Sequence, residues 1–79
     1  MDRQIYRLRY ANFLRKLKAA REESGLTQVE VARALSKTQA FVSKIESGER
    51  RLDFVELQEI CKLYGKPLSY FEEDLDESD

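Results

Sequence analysis

Residues 25–50 read GLTQVEVARALSKTQAFVSKIESGER, and the punctuation of this stretch decides the fold. Thr27 stands three residues before Glu30, the spacing of a capping box, in which each side chain satisfies a backbone N–H of the other at a helix start. Val31, Ala32 and Leu35 then recur on one face. After Ser36 and Lys37, Thr38 is placed to cap a helix from Gln39 to Ser47 whose inward residues are Val42 and Ile45, and Gly48 stops it. Two helices of about eight residues, about three residues apart, have the spacing of a helix-turn-helix.

Upstream, Phe13, Leu14, Leu17 and Ala20 make one apolar stripe and predict a helix from about Tyr10 to Ser24, ended by Gly25. Residues 1–9, with Ile5, Tyr6 and Leu8 among Arg3, Arg7 and Arg9, either extend that helix or form a basic arm. Downstream, Asp53 and Glu56 make a second capping box. It opens a fourth helix with Phe54, Leu57, Ile60, Cys61 and Tyr64 as its apolar face, up to Gly65. Pro67, then Ser69 with Glu72, predicts a short fifth helix carrying Tyr70 and Phe71. The domain is therefore expected over residues 10–73, and the acidic, apolar-poor residues 74–79 are expected to fray. The fold class is all-α with five helices.

Composition agrees with this class and narrows the chemistry. With 79 residues, three Gly and one Pro, the chain fits one small helical domain. No apolar run reaches the roughly 20 residues that span a bilayer, and the first ten residues lack the apolar core of a signal peptide, so a cytoplasmic protein is expected. The lone Cys61 has no partner for an intramolecular disulfide and reads as a small core hydrophobe rather than a redox sensor. The absence of histidine argues against a zinc site or a His-based triad, and neither enzyme activity nor a cofactor is expected. Glu72 to Asp74 lie on a frayed end without defined separation, which suits a solvated cap better than a catalytic pair. The net charge of -1 hides a division: residues 1–51 hold 12 Lys/Arg against 6 Asp/Glu, whereas residues 52–79 hold 2 against 9. Such asymmetry suggests a basic working face, although two solvated faces give the same count.

The run Gly25-Leu26-Thr27-Gln28, Val31-Ala32, Thr38-Gln39, Val42-Ser43-Lys44-Ile45-Glu46, Gly48 and Arg50 resembles the Cro/CI (Xre-type) helix-turn-helix family, which includes phage lambda-type repressors, Cro and restriction–modification controller proteins. The resemblance covers roughly Leu17 to Phe71. It departs at Leu52, where the family often has proline. It implies a lambda-repressor-like domain whose second and third helices form the helix-turn-helix, and a sequence-specific transcriptional regulator of double-stranded DNA. The third helix would then enter the major groove. Base contacts would fall to Thr38, Gln39, Ala40 and Lys44, with Gln39 suited to adenine N6 and N7. Phe41 stays open between packing on the second helix and touching DNA. Gln28, Ser43, Ser47, Arg50 and Arg51 would meet the DNA backbone. Arg21 and Glu46 match a family pair that forms a partly buried structural ion pair.

A domain that reads few base pairs gains specificity as a homodimer on a two-fold operator. Leu68, Tyr70, Phe71 and Leu75 offer a surface for it, or else simply close the monomer's core. RNA polymerase is a further candidate partner, blocked or contacted by the bound dimer. The alternative is an adaptor or antitoxin-like module that uses the same fold without DNA readout; the polar start of the third helix, Thr38 and Gln39, with Arg50 and Arg51 nearby, speaks against it, since an adaptor has no reason to keep these outward.

Overall fold

A computed structural model of the protein describes residues 3–72. The acidic tail at 74–79 and Leu75 lie outside the described residues. Four α-helices and one short 3-10 turn make up the fold, with no strand among the described residues: α1 (Arg3–Glu23), α2 (Gln28–Leu35), α3 (Gln39–Ser47), α4 (Phe54–Tyr64) and the turn Leu68–Phe71. Residues 3–9, left open between arm and helix by the sequence, continue α1 without a break. No helix among the described residues is long and apolar enough to cross a membrane.

Local chemistry sets the helix boundaries. Thr27 Oγ1 accepts from Glu30 N–H at 3.1 Å while Thr27 N–H donates to Glu30 Oε1 at 2.9 Å. Asp53 and Glu56 repeat the arrangement at 2.8 and 3.1 Å. Each box removes two otherwise unpaired donors from a first helical turn. The elbow between α2 and α3 is unusual in one respect. Ser36 adopts the left-handed conformation (φ 59°, ψ 42°), the only described non-glycine residue with positive φ. Its N–H and that of Lys37 return to the end of α2, the latter to Ala32 O at 2.8 Å, which closes the helix and turns the chain sharply.

The helices bury Leu17, Ala20, Val31, Ala32, Val42, Ile45, Ile60 and Tyr64 as one cluster. α2 packs chiefly on α3, and α1 runs across α3, α4 and the 3-10 turn. Cys61 is buried and free, and burial pushes its thiol up, away from the reactive thiolate.

Two sequence expectations are corrected. Phe54, assigned to the apolar face of the fourth helix, is 59% exposed because it occupies the first position after the cap, outside the reach of the core. The fifth helix is a 3-10 turn entered from Pro67, and Ser69 makes no capping bond. A single turn gives too few hydrogen bonds to repay α-helix nucleation, and Lys16 Nζ takes the Tyr70 carbonyl at 3.0 Å. The aromatic rings of that turn, which suited either a dimer surface or the monomer's own core, are half-buried against the core. Phe71 meets Phe13 edge-on at 5.5 Å between centroids, and Tyr70 meets Phe71 at 4.9 Å.

Candidate nucleic-acid interface

The start of α3 presents a polar surface with unpaired helical N–H groups behind it. Thr38 caps it, its Oγ1 accepting from Phe41 N–H at 3.1 Å, so the hydroxyl proton is left to donate elsewhere. Gln39, Ala40 and Lys44 are exposed. Gln39 is not loose: its Nε2 donates to Gln28 Oε1 at 2.7 Å, and Gln28 Nε2 donates to Glu46 Oε1 at 3.0 Å. The ionised carboxylate of Glu46 only accepts, so the nitrogen of Gln28 must face it and the oxygen must face Gln39. Gln39 in turn offers its oxygen and one remaining N–H to whatever approaches α3.

The chain ends in the core. Arg21 is 9% exposed and forks onto Glu46, Nε to Oε2 at 2.5 Å and Nη2 to Oε1 at 3.1 Å, while Nη1 donates to Leu26 O at 2.9 Å. The hydrogen bond to Glu46 pushes the Arg21 guanidinium further up. A buried charge is tolerated because its partner and its hydrogen bonds are all supplied.

The loop after α3 is organised around Phe41. Its ring packs on the core, with Lys37 Nζ 5.0 Å and the Arg50 guanidinium 4.6 Å from its centroid. Arg50 forks onto Glu56 at 2.9 and 3.1 Å and donates to Arg51 O at 2.8 Å. The hydrogen bond from Arg50 holds the Glu56 carboxyl below the usual carboxylate range. Arg51 is exposed, donates to the Tyr6 hydroxyl, and lies over the rings of Tyr6 and Tyr10, 5.2 and 4.4 Å from their centroids. Ser47 turns back on its own helix, donating to Lys44 O at 3.1 Å, and Ser43 is half-buried.

The structure therefore brings Gln28, Gln39, Glu46 and Arg21 together as one hydrogen-bonded line, and pairs Arg50, whose side chain stays 42% exposed, with Glu56. Sequence reasoning missed the partners of Arg50 and Arg51. Glu56 was already accounted for by its capping role, and Tyr6 lies 45 residues from Arg51. The extra carboxylate oxygen of a capping glutamate, with an arginine six residues before it, was the available signal.

Capped helices at this spacing, with an exposed polar face on the second, make a helix-turn-helix. A family model described as helix-turn-helix matches residues 17–71, and the chain belongs to this family, of the Xre or Cro/CI type. The family is regulatory and DNA-binding rather than enzymatic, and double-stranded DNA is its partner. No curated protein and no solved structure matches the chain.

Proposed function

We propose that the protein is a repressor- or controller-type regulator that reads an operator sequence by inserting the start of α3 into the major groove. The observation that carries this is the line Gln39–Gln28–Glu46–Arg21, which holds an exposed carboxamide in one orientation. Its free oxygen and N–H match the N6 donor and N7 acceptor of adenine, a bidentate pair. Thr38, Ala40 and Lys44 share base readout. The first turn of α2, with Gln28, meets a phosphate. Ser43, Ser47 and Arg51 complete the backbone contacts. Arg50, forked onto Glu56 and stacked on Phe41, braces this loop and reaches phosphate only by sharing its fork. The chain acts as a homodimer on a two-fold site, since one recognition helix reads too few base pairs for genomic specificity. Leu68 and the exposed edges of Tyr70 and Phe71 are the surface offered for pairing.

Selection from randomised duplexes, read by mobility shift, tests this. An enriched two-fold motif is expected. Gln39→Ala should relax preference at one base pair at a cost of about 1–3 kcal/mol, whereas Arg51→Ala should weaken all sequences alike and lower the salt slope by about 1. No enriched motif together with no salt dependence refutes the DNA reading and favours an adaptor role, whereas the same behaviour from both variants refutes the division of roles between Gln39 and Arg51.

A further inference from the structure

Between Arg3 and Arg21 the sequence holds seven Arg/Lys and no Asp or Glu. Arg3, Arg7, Leu14, Lys18 and Arg21 follow one another at multiples of the three- and four-residue spacing that puts side chains on one face of a helix. That face is turned toward the end of α3 and the loop beyond it. Arg21 binds Glu46, and a side chain at Gly48 would meet Leu14 Cδ1 at 3.0 Å. Arg3, Arg7 and Lys18 are exposed along the same line. Two arginines in the opening turns of α1 oppose the positive end of the helix dipole, so they do not serve the helix itself.

We infer that this α1 stripe is a second DNA-contacting element, which tracks the phosphate backbone flanking the site read by α3. The inference rests on the DNA reading above and extends it to residues outside the helix-turn-helix. Two observations support it independently of charge. The stripe is continuous with the recognition surface at its C-terminal end through the Arg21–Glu46–Gln28 line. At its N-terminal end, Arg51 hydrogen-bonds Tyr6 and covers Tyr6 and Tyr10, fixing the first turns of α1 beside the loop after α3. At about 1.5 Å per residue the stripe from Arg3 to Lys18 is about 22 Å long, which spans several phosphates of a duplex. The contact would be blind to sequence, because a phosphate carries no base identity.

The test compares the full chain with its Arg3→Gln/Arg7→Gln variant, on a duplex carrying the selected site with long flanks and on one trimmed to the site. Both substitutions are at exposed positions, and circular dichroism checks that the fold is unchanged. On the long duplex the variant should bind more weakly, with a salt slope smaller by about 0.9 for each phosphate it no longer neutralises. Over 50 to 200 mM salt the wild type should then fall in affinity by about tenfold more than the variant. On the trimmed duplex the two should coincide. Equal slopes on the long duplex overturn the inference while leaving readout by α3 intact. Tighter binding by the variant also overturns it, since the stripe would then be serving an acidic segment of protein. A wild type that binds no duplex in a salt-dependent way refutes the DNA reading itself.

Discussion

Glu46→Gln is the substitution that asks most of the structure. Glu46 uses two oxygens to accept three N–H groups: Oε2 takes Arg21 Nε, and Oε1 takes both Arg21 Nη2 and Gln28 Nε2. An amide has the same shape but one oxygen. Whichever way it is turned, its NH2 faces another donor, and the guanidinium loses its counter-charge. Both side chains are sequestered, 10% and 7% exposed, so water cannot replace the missing partner. Breaking a buried pair from one side costs about 3–5 kcal/mol. A domain of this size has on the order of 4–12 kcal/mol in total. Taking about 3 kcal/mol, the lower end, the melting temperature should fall by about 12–24 °C. Urea unfolding followed by circular dichroism measures the destabilisation directly. Arg21→Met, Glu46→Leu and the double variant Arg21→Met/Glu46→Leu make a cycle, and the double variant should recover much of the stability because neither charge is then stranded. A destabilisation under about 1 kcal/mol for Glu46→Gln, or a double variant equal to the sum of the singles, would refute the argument.

Gly48→Ala should destabilise by about 1–2 kcal/mol in the same urea assay, because φ is +88° and the new methyl would press on Leu14 at 3.0 Å. Gly25→Ala, with nothing within 4 Å of the methyl, should show only the backbone part; equal effects at the two glycines would discount the Leu14 contact. The Glu56 carboxyl is held below its ordinary value of 4.5 by Arg50, so its contribution is complete above that pH and is lost as pH falls through the lowered folded value. Urea midpoints of the wild type should therefore drop more steeply below about pH 4.5 than those of Glu56→Gln, and parallel curves would count against the pair.

The parts of this fold that were legible in the sequence are those whose causes are local. Thr27 with Glu30, Asp53 with Glu56, and Thr38 before α3 each declare a helix start within four residues. Arg21 and Glu46 were matched through the family pattern, which carries long-range information that spacing lacks. The 3-10 turn escaped because Ser69 and Glu72 have cap spacing after Pro67, whereas the cap falls on Pro67, which has no side-chain acceptor to bond with, and Lys16 of α1 donates to a carbonyl of the turn. Phe54 escaped because position along a helical wheel does not say how far the core extends past a helix end. For Tyr70 and Phe71 the sequence shows two apolar rings and no way to tell which surface they meet; the placement of Phe13 seats part of them against the core. Arg50 and Arg51 look alike in the loop, and their different partners follow from where α4 and the first turns of α1 come to lie.

The line from Gln39 to Arg21 also bears on how such a protein changes its target. A base-reading side chain standing alone can be exchanged without regard to its surroundings. Here the carboxamide at 39 is oriented by one at 28, which is oriented by a carboxylate whose other partner is buried under α3. A new residue at 39 that cannot donate to Gln28 leaves that amide free to turn, and a change at 46 that would reset it disturbs the core. If Gln39 reads a base as proposed, operator preference and conformational stability are inherited together, and altered specificity in this chain should arise from coordinated replacements at 28 and 39 more readily than from either one alone.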